Sequence, residues 1–131
     1  MSRRHRWISL AAPVVLAAFA LAVVGSATAT KVTNVKSTVT IKSGEGSKFT
    51  GKVSAAQKAC TRGRKVKLLM EPYSGGKDEL VGTAKTNSSG TWELRGNFMA
   101  GVYHAEVTSS FVHTDSATLN CRFDISVSAK Y

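Results

Sequence analysis

Proline, cysteine and sustained helical periodicity are all scarce in this chain once its first 29 residues are set aside. Only Pro72 falls in that remainder, while glycine, serine and threonine punctuate it every 8 to 12 residues. Short strands separated by turn residues at that spacing describe an all-β sandwich or barrel rather than a helical fold. The two cysteines, Cys60 and Cys121, form no C-x-x-C pair, which removes the usual signature of a redox-active or zinc-binding module. There is no G-x-S-x-G elbow, no paired carboxylates in a patterned segment and no glycine-rich phosphate loop before a helix, so hydrolase and nucleotide chemistry lack a focus. Acidic side chains number 8 against 18 basic ones. No internal repeat or low-complexity tail is present.

What is there begins at the N-terminus. Ser2-Arg3-Arg4-His5-Arg6 is followed by an uncharged apolar run over 7–24 and then by Gly25-Ser26-Ala27-Thr28-Ala29. Basic, apolar and small-residue segments in that order predict a secretory signal peptide over 1–29, cleaved after Ala29. The run is long enough for an uncleaved anchor to be the alternative. Arg3-Arg4 also suggests a twin-arginine route, although Arg6 sits where that signal prefers an apolar residue. Cleavage removes 29 of 131 residues and leaves 102, the size of one domain. With Arg3, Arg4 and Arg6 gone, 15 basic side chains face all 8 acidic ones, a net charge of +7. Export implies an oxidising compartment, where Cys60 and Cys121 are expected to bond to each other.

A short polar lead over 30–35 precedes a β-sandwich domain over 36–131, with about seven antiparallel strands and one disulfide. Alternation places strands at 37–42 (Val39, Ile41), 49–53 (Phe49, Val53), 65–70 (Val66, Leu68, Met70 inward, Lys65 and Lys67 outward) and 80–86. Asn87-Ser88-Ser89-Gly90 then predicts a hairpin, with 91–94 pairing back and Trp92 and Leu94 on one face. Tyr103, Ala105 and Val107 mark the sixth strand. Leu119, Cys121, Phe123, Ile125 and Val127 hold period two for nine residues and predict a central last strand with five inward positions.

Phe49-Thr50-Gly51-Lys52-Val53, Val66-Lys67-Leu68, Thr86-Asn87-Ser88-Ser89-Gly90-Thr91-Trp92 and Gly101-Val102-Tyr103 follow one another in order. That succession resembles the transthyretin-like and carboxypeptidase-regulatory-like β-sandwiches, over about 49–107. The resemblance implies a non-catalytic binding, spacer or surface domain, and it leaves the partner open because such folds host many functions; no cofactor is expected.

Arg62, Arg64, Lys65 and Lys67 form the densest basic cluster and are the candidate polyanion-binding residues, suited as point charges to sulfated, phosphorylated or teichoic-acid-like polymer. A solvated strand face is the competing account. Aromatics do not interleave with the cluster, so nucleic acid is not expected as a partner. Trp92, Tyr103 and Tyr73 are weighed as a sugar-stacking platform; alternation assigns Trp92 and Tyr103 to the core and leaves Tyr73 in a turn. His113 and Asp115 lie two apart but have no focused nucleophile, and a Cys60, Cys121, His104, His113 zinc tetrad fits no known spacing. Asn87-Ser88-Ser89 matches a glycosylation sequon as well as a turn. The expectation is a secreted monomer of the cell envelope or extracellular space, structural or interactive, with carbohydrate or anionic-polymer binding as the alternative, no enzyme activity, no metal, and membrane attachment only through an uncleaved signal.

Overall fold

The computed structural model describes residues 31–131, so the expected signal peptide and its cleavage site lie outside the described residues. The described chain is all-β with one disulfide, Cys60–Cys121. Twelve strand segments run in order: β1 (Val32–Val35), β2 (Ser37–Val39), β3 (Lys42–Gly44), β4 (Lys48–Ala55), β5 (Lys65–Met70), β6 (Glu79–Lys85), β7 (Thr91–Arg95), β8 (Val102–Val107), β9 (Ser110–His113), β10 (Thr118–Cys121), β11 (Asp124–Ile125) and β12 (Ala129–Lys130). A single 3-10 turn, Lys58–Cys60, interrupts the β4 to β5 connection.

Two of the divisions are local. β2 and β3 pair with β4 in one unbroken register, Val39 opposite Val53 and Lys42 opposite Thr50. The break falls where the Thr40 carbonyl accepts the Trp92 indole Nε1–H at 3.2 Å instead of staying in the ladder. Gly51 sits directly opposite Trp92. A Cβ there would collide with the Thr40 carbonyl and the indole, so only glycine lets the ring lie flat under the strand. β11 and β12 likewise are two pieces of one edge strand beside β8, offset by a residue at Ser126, whose N–H donates to Ala105 O and whose hydroxyl accepts from Ala105 N–H.

Merged in this way, the sandwich has one sheet in the order β2/β3, β4, β7 and a second in the order β6, β5, β8, β11/β12. Val39, Phe49, Val53 and Trp92 from the first sheet bury against Val66, Leu68, Met70, Tyr103, Ala105 and Val107 from the second. One end closes with aromatic edges: Phe49 lies 4.9 Å from Phe98, 4.8 Å from Tyr103 and 5.6 Å from Tyr131, centroid to centroid. These separations suit offset and edge-to-face aromatic contacts.

The 87–90 segment corrects the expected hairpin. β6 pairs with β5 and β7 pairs with β4, so this turn carries the chain from one sheet to the other. Its chemistry is still that of a tight turn. Asn87 Oδ1 accepts from the N–H groups of Ser89 and Thr91, and Gly90 takes φ 80° against the Val53 carbonyl.

A third, appended sheet was not foreseen. β10 pairs antiparallel with β9 and parallel with β1, so part of the supposed polar lead is a strand, with Val35 buried. The appended sheet packs Val35, Leu119 and Cys121 against Cys60 in a small second core. The last strand is corrected as well. After Cys121 the chain leaves the appended sheet and Asp124 joins the outer edge of β8. Phe123 and Val127 therefore stand 48% and 81% exposed, and the strand is an edge rather than the sheet centre, which β5 and β8 occupy.

Candidate functional site

Arg64 corrects the expected basic cluster. It is 1% exposed, and its guanidinium lies at the junction between the sandwich and the appended sheet. Nη1 donates to Ser37 Oγ at 2.9 Å and to Cys60 O at 2.6 Å. Nη2 donates to the carbonyls of Thr108, Cys121 and Arg122 at 2.8, 3.3 and 3.1 Å. No carboxylate faces it: five oxygen acceptors replace its hydration, and Nε alone finds no partner. Burial lowers its pKa from the ordinary value, yet a guanidinium stays charged. Its planar fork of donors is what lets one side chain span three connections.

The other three residues of that cluster separate. Arg62 is exposed in the loop, Lys65 is exposed on β5, and Lys67 is half-buried opposite Glu106 of β8. The outer face of this sheet is mixed: Lys65 and Lys85 stand side by side, Leu69 and Ile125 are apolar, and His104 lies 3.0 Å from the Asp78 carboxylate through Nε2 and 4.0 Å from that of Glu71 through Nδ1.

The opposite outer face is where the lysines gather. β4 alternates Phe49, Gly51 and Val53 inward with Lys48, Thr50, Lys52 and Ser54 outward. The same alternation along 36–42 turns Lys36, Thr38, Thr40 and Lys42 outward. Directly opposite residues share a face, so register builds rows of Thr38 with Ser54, Lys42 with Thr50 and Glu93, and Lys48 with Arg95. Five cations, Lys36, Lys42, Lys48, Lys52 and Arg95, thus share the face with one carboxylate, Glu93, which Arg95 Nε holds at 2.6 Å. Threonine and serine fill the remaining positions. Rows stand about 7 Å apart along a strand and strands about 5 Å apart, so several ammonium groups can meet one extended anionic chain together. Trp92 braces this face from behind through its indole N–H to the Thr40 carbonyl.

The remaining expected residues are accounted for individually. Cys60 and Cys121 are bonded to each other, which removes them as zinc ligands. Trp92 and Tyr103 are in the core, and the Tyr103 hydroxyl donates to Met99 O at 2.6 Å. Tyr73 is 85% exposed with its hydroxyl donating to Ala100 O at 2.6 Å, but no second exposed ring stands beside it to form a sugar platform among the aromatic contacts described. His113 Nδ1 lies 3.0 Å from Thr118 Oγ1, its cross-strand neighbour, while Asp115 is in the exposed hairpin turn; the two do not converge with a nucleophile. Among the described residues, no group of three or more His, Cys, Asp or Glu side chains is placed to hold a metal ion.

Two features escaped sequence reasoning. The Lys/Thr face needs cross-strand register, which alternation within each strand does not supply. Phe111 was not assigned to any surface, and it stands 64% exposed on β9. Comparison with protein-family models, with curated proteins and with solved structures finds no match.

Proposed function

We propose that this chain is an exported, non-catalytic interaction module of the cell envelope or extracellular space, and that it holds an anionic polymer on the Lys/Thr face of β2/β3, β4 and β7. The observation that carries this reading is the shared face of Lys36, Lys42, Lys48, Lys52 and Arg95, five cations against one carboxylate among hydroxyl side chains. Ammonium groups in a row recognise phosphate or sulfate as point charges and tolerate variation in the polymer between them. The disulfide agrees with an oxidising compartment, and the N-terminal pattern over 1–29 supports export. The resemblance of 49–107 to transthyretin-like and carboxypeptidase-regulatory-like domains supports a binding or spacer role.

Retention of the disulfide-bonded protein on immobilised dextran sulfate, and in parallel on immobilised polyphosphate, tests the proposal. Binding is expected to weaken steeply as added salt shortens the screening length from about 10 Å at 0.1 M. Passage through both resins at low salt, with no retention, would remove the polymer and leave only a spacer role.

A further inference from the structure

At the end of β4 the Lys/Thr face runs into an open hollow of about 590 Å³, within the roughly 300–1,000 Å³ range of small-molecule sites. Its two sides follow from strand alternation. Asn34, Lys36 and Thr38 turn outward on one, Ser54 and Ala56 on the other, with Thr38 directly opposite Ser54. Val35 and Ala55 also line the hollow and belong to the small second core, so packing holds that part of the wall in place.

The chemistry of the lining differs from that of the lysine rows. Lys36 alone among the lining residues is charged. The hydroxyls of Thr33, Thr38 and Ser54 and the amides of Asn34 and Gln57 can both donate and accept, as the hydroxyl groups of a sugar require, whereas the oxygens of a sulfate or phosphate ester only accept. Asn120 Nδ2 donates to Asn34 Oδ1 at 2.9 Å, which orients that amide and leaves its own Nδ2–H groups to donate to a ligand. Gln57 precedes the 3-10 turn at Lys58–Cys60 without making a side-chain cap bond to it, so its amide is not used in that way. Thr40, out among the lysines, differs: its hydroxyl is bonded to the main chain of Lys52. Val35, Ala55 and Ala56 add a small apolar surface that suits the C–H groups of a saccharide ring.

We propose that the polymer is a polysaccharide and that this hollow seats one of its sugar units, with Lys36 meeting the sulfate or phosphate ester that the unit carries. The inference rests on anionic-polymer binding at the Lys/Thr face and adds the class of polymer, sugar rings between the esters rather than an uninterrupted run of anions. Lys36, Thr38 and Ser54 belong both to the hollow and to that face, so a chain leaving the hollow runs directly onto the lysine rows. The rows supply attraction that any polyanion feels. Amides and hydroxyls around one ring supply the preference for a sugar, because a polymer without ring hydroxyls leaves them unmatched.

The test is isothermal titration of the disulfide-bonded protein with dextran sulfate and with poly(vinyl sulfate), which carries the same anion without a sugar. Two variants keep the charge unchanged: Ala56→Leu fills the hollow, and Asn34→Ala with Gln57→Ala removes both amides. All three residues are exposed, so both variants should melt near the wild-type temperature, and each is decisive without the other. Dextran sulfate is expected to bind either variant about tenfold more weakly than wild type, the scale of one or two lost hydrogen bonds, while poly(vinyl sulfate) binds as before. Unchanged affinity for dextran sulfate in both variants, or an equal loss for the two polymers, would overturn the sugar site and leave polyanion binding on the Lys/Thr face intact. Wild-type binding to poly(vinyl sulfate) alone would do the same. A wild type that binds neither polymer would overturn the polymer reading itself, and the sugar site with it.

Discussion

One outer face of the sandwich sets Lys36, Lys42, Lys48, Lys52 and Arg95 among threonine and serine; the other mixes Lys65, Lys67 and Lys85 with Glu106, His104, Leu69 and Ile125. In the linear sequence the ranking is reversed, because Arg62, Arg64, Lys65 and Lys67 fall within six residues while the cations of the first face are spread over 60. The difference teaches that surface charge density follows register across strands rather than proximity along the chain. Two physical causes act on the mixed face. Arg64 is drawn inside, where carbonyls solvate it, and Lys67 meets Glu106 across the ladder.

Trp92→Ala attacks the Lys/Thr face from behind and should have the largest effect. Loss of a fully buried indole costs about 3 to 5 kcal/mol. It also frees the Thr40 carbonyl and leaves the row of Thr40, Lys52 and Thr91 without a brace. Chemical denaturation checks the stability. Efficient quenching of the Trp92 emission by a soluble quencher in the native protein would contradict its burial.

Cys60→Ser and Cys121→Ser should each cost about 4 kcal/mol, the loop-closure value for residues 61 apart in sequence. The loss should fall on the appended sheet, whose small core is built around that bond. Hydrogen exchange should therefore accelerate in β9 and β10 before it does in β4 or β5. Uniform acceleration over both regions would show that the appended sheet and the sandwich unfold as one.

Arg64→Ala should cost about 3 kcal/mol, the scale of one or two buried acceptors left unpaired, since two of its five bonds, to the carbonyls of Thr108 and Arg122, are only part-buried. Arg64→Lys should recover little of this, because an ammonium cannot span acceptors on three connections. Retention on dextran sulfate by whatever fraction stays folded should not change. A drop in retention at constant stability would return Arg64 to the binding surface.

Much of this arrangement was legible in the residues. Alternation at Phe49 and Val53, at Val66, Leu68 and Met70, and at Tyr103, Ala105 and Val107 marks the inward faces correctly because each of these strands has one wet and one dry side. The same parity, carried back two residues from Val66, already points Arg64 inward; its charge argued otherwise, and five oxygen acceptors decided the matter. Alternation from Leu119 to Val127 was misleading because the pattern continues through a point where the chain changes partners, with Arg122 N–H bonding to Val35 O before Asp124 reaches β8. Period two does not register such a change. β1 was invisible for a different reason: Val32-Thr33-Asn34-Val35 has no alternation, and the strand exists through main-chain pairing to β10 that only the fold supplies. The crossing at 87–90 shows that turn chemistry fixes a local reversal without fixing which strands pair.

The most direct test of the central claim compares two quadruple variants that remove equal charge. One replaces Lys36, Lys42, Lys48 and Lys52 with glutamine; the other replaces Arg62, Lys65, Lys67 and Lys85. All eight side chains lie at the surface or half-buried, so stability should change by no more than about 0.5 kcal/mol per site in either set. The salt concentration that elutes each variant from dextran sulfate is the measurement. The account predicts release of the first variant at much lower salt, with the second close to wild type. Equal loss in the two variants, or greater loss in the second, would contradict a site on the Lys/Thr face and leave bulk charge or the mixed face as the source of binding.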